Sequence, residues 1–169
     1  MKKLRFLIYI WCLPWDILAW LVILLMWSIW GTKLRWEDGL WFEFKRDSWP
    51  SRTWYNPWAG TTFGHGGILG YGHSGKKGID TKTEKHEHIH VEQFEVVMLS
   101  HLLMALLFIF FTEYNGYSLF IFFTIWLSGG FLNYLIGGIV SLMRGKSFYT
   151  GNIKEMAAYA ITDKEEKQK

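Results

Sequence analysis

The chain has one cysteine, Cys12, among its 169 residues, and that cysteine falls in an apolar run. A single thiol excludes an intrachain disulfide and any cysteine-based zinc site. The glycines match neither a Walker loop nor a dinucleotide-binding fingerprint, so no nucleotide site is written here. Basic residues scatter among acidic ones and the formal net charge is only +3. There is therefore no basic stripe of the kind that grips nucleic acid. No internal repeat is present, which weakens any reading as a small-molecule carrier built on inverted repeats.

What the chain has in excess is apolar surface. Half of it is hydrophobic and 19% is aromatic, with eleven tryptophans. Those values exceed the usual soluble pattern. Many of the tryptophans stand near the ends of apolar runs, where indole rings favour a membrane interface. Phe6 to Trp30 is broken only by Pro14 and Asp16. It is longer and bulkier than a signal-peptide core and has no small-residue cleavage site, so it reads as a transmembrane helix. Further spans are expected at about 94–112 and 118–143. The fold class expected is mainly α and integral to a membrane, with about three spans, a small β region over 31–80, and a C-terminal helix over 152–162. Asp16 is costly in hydrocarbon. It either faces a partner or wet cavity, or lies near an interface and snorkels.

Between the first two spans, Lys33–Glu37 and Leu40–Phe44 alternate apolar with polar residues around Asp38-Gly39. That pattern predicts a hairpin with a type I′ turn. Ser48 to Gly60 reads as an irregular loop. Thr61 to Tyr71 reads as one glycine-interrupted strand, whose edge can take an extended peptide by main-chain pairing. His65, within it, is either a ligand or transition-state donor, or a satisfied loop residue. His73 in the following Gly/Ser/Lys loop is expected to be solvated.

The chemistry centres on His86-Glu87-His88-Ile89-His90, a His-Glu-x-x-His motif. On a helix, His86 and His90 share a face one turn apart and can meet one Zn²⁺. Glu87 beside them can take a proton from a water held by that metal. Thr81-x-x-Glu84 reads as a capping box, so a motif helix is expected over 82–93, running into the second span. His86, His90, Gln93, Val97 and His101 then form one stripe at helical spacing. With His90 about 6 Å above Phe94, the metal is expected to be juxtamembrane. Near the C-terminus, Asn152 can cap a helix bearing Glu155 and Tyr159. Glu155 is a candidate third ligand, completing a His₂Glu site, or half of a capping pair. The second and third spans form a hairpin that returns the chain to the motif, which favours the ligand.

These residues resemble the gluzincin metallopeptidases, and more closely small bacterial membrane proteins of minigluzincin type. The resemblance rests on Gly64-His65, on His86 to Gln93, and on Asn152-x-x-Glu155-x-x-Ala158-Tyr159, across roughly Thr61 to Ile161. It implies that His86, His90 and Glu155 bind zinc and that Glu87 is the general base. The usual downstream Asp partner of a ligand is not evident here. The function expected is zinc-dependent hydrolysis of a peptide or membrane-protein substrate near the bilayer, with His65 or Tyr159 as oxyanion donor. The alternatives are a non-catalytic metal-binding assembly or interaction protein, and a carrier using Asp16, His101 and Asn133. The localisation expected is a bacterial inner membrane. Lys2, Lys3 and Arg5 favour a cytoplasmic N-terminus; Lys33, Arg35, Arg144 and Lys146 favour a cytoplasmic catalytic face. With three spans these oppose each other, and the nearly charge-free turn at Tyr114 to Tyr117 tips the balance to the second.

Overall fold

The computed structural model describes residues 2–53, 60–72, 82–113, 115–147, 149 and 151–166. Helices dominate, with one small mixed sheet. The order is α1 (Lys2–Trp30), β1 (Gly31–Trp36), β2 (Leu40–Phe44), α2 (Trp49–Arg52), β3 (Gly60–Thr62), β4 (Gly66–Leu69), α3 (Lys82–Phe111), α4 (Gly116–Met143) and α5 (Ile153–Glu166). Among the described residues, two helices are long and apolar enough to cross a membrane, over Leu7–Trp30 and Lys82–Phe111. The chain divides into two compact units. One comprises Met1–Trp15 and Glu92–Met156, the other Asp16–Val91 and Ala157–Lys169.

The second unit holds the sheet, in strand order β1-β2-β4-β3. Strands β1 and β2 pair antiparallel as the alternating pattern predicts, but the turn differs from the expected one. Trp36 pairs with Leu40, so three residues form the loop. Asp38 and Gly39 both take positive φ, at 49° and 155°. A side chain at Gly39 would strike the carbonyl of His65, so only glycine fits.

The stretch Thr61 to Tyr71 is likewise not one strand. Gly64, at φ 54°, folds it into a tight antiparallel hairpin of β3 and β4 with His65 in the turn. Strand β4 then pairs parallel to β2, Leu40 with Gly66 through Glu43 with Leu69. The loop expected after Ser48 begins with the single helical turn of α2, led by Pro50 near its start. His73 and Thr81 lie outside the described residues.

Alternation along β2 decides what covers the sheet. Phe42 and Phe44, with Ile68 of β4, form a buried cluster with Ile23 of α1, flanked by Trp20, Met26, Trp27 and Trp30. On the opposite face Trp41 and Leu69 bury against Val91 of α3. Fully burying each such side chain contributes about 1.5–3 kcal/mol. The sheet is thus wedged between two helices, and its outer strand β3 is set by them.

In the first unit, Trp11 stacks on Trp126 at 4.9 Å. The Trp126 indole N–H donates to the Trp11 carbonyl at 2.6 Å. Helix α4 starts at a capping box: the Asn115 side chain accepts from Ser118 N–H, and the Ser118 hydroxyl accepts from Asn115 N–H. His101 is buried and faces the carbonyl of Val97 one turn back in its own helix, at 2.8 Å.

Candidate metal centre

Helix α3 runs unbroken through the motif, as the sequence predicts, and so presents His86 and His90 together. Their Nε2 atoms are 3.1 Å apart. Two nitrogens bound to one tetrahedral Zn²⁺ at about 2.0–2.1 Å stand about 3.3 Å from each other. The pair is therefore spaced for a shared ion. His86 is buried and the Tyr159 ring lies against its imidazole, with centroids 4.3 Å apart. Tyr159 thus fixes a ring orientation that His86 alone would not hold.

Glu87 is buried beside them, and its position comes from the sheet edge. The Thr62 hydroxyl lies 2.7 Å from Glu87 Oε2 and 3.0 Å from the Glu87 carbonyl. This contact requires Gly60 in β3: a Cβ there would come 2.6 Å from Glu87 Cγ. Among the described residues no strand pairs with the outer edge of β3.

Glu155 sits in the first turn of α5. Asn152 caps that helix by accepting from Lys154 N–H at 3.0 Å. A capping box would need the Glu155 carboxylate on the Asn152 N–H, but that N–H donates to the Tyr149 carbonyl at 3.0 Å. Instead the Tyr134 hydroxyl donates to Glu155 Oε1 at 3.0 Å. Gln93 of α3 donates to the Lys154 carbonyl at 3.0 Å. Burial lowers the Lys154 ammonium below its ordinary pKa by desolvation. Glu155 belongs to the compact unit of Glu92–Met156, and His86 and His90 to the other. Two imidazoles and a carboxylate are a donor set that zinc accepts.

Comparison with protein-family models, curated proteins and solved structures gives no match.

A second acidic and histidine cluster, Glu37, Glu84 and His88, brings its ligand atoms within 4.8 Å of one another. Arg35 already occupies it, paired to the buried Glu84 and lying 3.4 Å from Glu37. A guanidinium neutralises those carboxylates, so the cluster has its cation. Glu84 therefore serves an ion pair with β1.

His65 is not part of the three-residue ligand set. It is wholly buried, its Nδ1 2.8 Å from Asp16 Oδ2, while its backbone N–H donates to Asp16 Oδ1 at 2.9 Å. Of the two readings of Asp16, the structure gives the one with a partner. Three residues around the site were not legible as such: Asp16 behind His65, Thr62 behind Glu87, and Tyr134 behind Glu155. Asp16 had a signal in its place within an apolar run, and Tyr134 in its place between Gly129-Gly130 and Gly137-Gly138, which permit close approach. At Gly137 a Cβ would lie 2.6 Å from Asn152 Oδ1.

Proposed function

We propose that the protein is a membrane-embedded, zinc-dependent metallopeptidase of the gluzincin kind. The observation that carries this reading is the pair of histidine nitrogens 3.1 Å apart on one helix, with Glu87 buried beside them at a sheet edge. His86, His90 and Glu155 would hold the ion, and three protein ligands is the number that catalytic zinc sites use, whereas structural sites use four. When bound, Zn²⁺ supplies a Lewis acid that polarises a peptide carbonyl and acidifies water. Glu87 acts as general base, taking the proton of the attacking water and returning it to the leaving amine. The Thr62 hydroxyl holds one Glu87 oxygen, so the carboxylate is aimed before substrate arrives. Tyr159 is the donor proposed for the developing oxyanion. His65, engaged by Asp16, holds the β3–β4 turn. Strand β3 offers its outer edge to an extended peptide, which main-chain hydrogen bonds would orient.

The membrane part of the proposal counts α4 as a third span beside α1 and α3. It rests on the 28-residue length and apolar composition of α4. The bilayer proposed is a bacterial inner membrane with the catalytic face cytoplasmic, supported by Lys33, Arg35, Arg144 and Lys146. The substrate proposed is a membrane-proximal peptide or membrane protein.

Metal analysis and cleavage of a fluorogenic peptide library by the purified protein test the reading together. The wild type should carry zinc and cleave. Glu87→Gln should keep the zinc and lose cleavage by roughly 10²–10⁴-fold. His86→Ala and Glu155→Ala should lose the metal. Zinc-loaded wild type that cleaves nothing would favour a non-catalytic metal-binding membrane protein instead.

A further inference from the structure

Helix α1 fixes how deep the site lies. Its membrane-length apolar stretch runs from Leu7 to Trp30. Asp16 follows Leu7 by nine residues and precedes Trp30 by fourteen, about 14 and 21 Å along a helix. A hydrocarbon core is about 30 Å thick. Asp16 is therefore near mid-depth of any bilayer that α1 spans. It is also the residue that holds the β3–β4 turn, through both the backbone and the ring of His65. Strand β3 leads straight into that turn, and its Thr62 holds Glu87.

The two sides of α1 differ in kind. Toward the sheet it presents Asp16, Trp20 and Ile23, all engaged by β residues. Away from it, Ile17, Leu18, Leu21, Leu24, Leu25 and Ile29 are 40 to 63% exposed. The polar side chain on this stretch, Ser28, turns its hydroxyl to the Leu25 carbonyl at 2.7 Å. A helix facing water would carry polar residues there. Exposed Leu7, Ile10 and Leu13 continue the same aliphatic character toward the N-terminus. The β1–β2 hairpin, by contrast, exposes Lys33 on its first strand and Glu37 in its loop, whose charges need water.

We infer that the aliphatic face of α1 lies against lipid acyl chains along its whole length, so that α1 is a wall with lipid on one side and a wet catalytic cleft on the other. The β3 edge is then sunk within the bilayer thickness. The substrate class follows: a peptide that belongs to a membrane-inserted segment. This inference rests on the metallopeptidase reading above.

The test uses the full chain with Cys12→Ala, reconstituted in phosphatidylcholine nanodiscs, with a nitroxide label placed singly at Ile10, Leu18 or Leu25. Collisions with oxygen report lipid, and collisions with a soluble nickel chelate report water. All three labels should be relaxed by oxygen and untouched by nickel. Nickel access at Leu18 and Leu25, with Ile10 still protected, overturns the inference and leaves the peptidase reading standing. Nickel access at all three overturns the membrane reading as well. In the same nanodiscs, a fluorogenic peptide library built into a poly-leucine span should be cleaved and the free library should not. Cleavage of the free library alone overturns the proposed substrate class, and cleavage of neither overturns the peptidase reading itself.

Discussion

Replacing Asp16 by alanine is expected to cost about 3–6 kcal/mol of folding stability, from the loss of two buried hydrogen bonds to its carboxylate. The magnitude follows from the contacts. One carboxylate oxygen accepts from the His65 backbone N–H at 2.9 Å and the other faces His65 Nδ1 at 2.8 Å, both groups having no exposed surface. Hydrogen bonds to a charged group contribute about 1.5–3 kcal/mol each, so the two together give about 3–6 kcal/mol. Asp16→Asn keeps the shape and one acceptor oxygen for the N–H, and its expected loss is smaller, about 1–2 kcal/mol. Unfolding by dodecyl sulfate titration in mixed micelles, followed by tryptophan fluorescence, is the assay. It reads this joint well because the Trp20 indole donates to the His65 carbonyl at 3.0 Å. An alanine variant within about 0.5 kcal/mol of wild type, the range of an inconsequential surface change, would refute the claim that Asp16 anchors the turn.

Two further substitutions separate the supporting residues from the ligands. Tyr134→Phe removes the hydroxyl that bonds Glu155 Oε1 and is expected to weaken zinc affinity about 10–100-fold, measured by competition with a chelating dye. Thr62→Val removes the donor to Glu87 while keeping the side chain's shape. It should lower kcat with zinc content unchanged, and a variant that loses the metal instead would show Thr62 to be merely structural.

What sequence could and could not reveal follows the reach of each interaction. His86 and His90 were placed on one helix face because helical periodicity acts over four residues, and α3 contains no Gly or Pro to break it. The β1–β2 hairpin was legible for the same local reason. Its loop was misjudged by one residue because the close approach of the His65 carbonyl to Gly39 is a tertiary fact. Gly64 and Gly66 both read as weak strand residues, and nothing local says that Gly64 takes the positive φ that makes a turn. The parallel pairing of β2 with β4 joins segments separated by a whole loop and is invisible to any short window. Asp16 and His65 stand 49 positions apart. Each looked anomalous alone, an acid in an apolar helix and a histidine among glycines, and only the fold makes one explain the other.

The His65 carbonyl has a consequence of a different sort. It accepts the Trp20 indole N–H and the Leu40 amide, so a single main-chain oxygen rivets a helix, a hairpin and a strand turn together. That acceptor exists whatever residue is encoded at position 65. Mutation can alter its donors but cannot delete the rivet itself, and amide-to-ester replacement of the peptide unit would be the chemical route to weakening it.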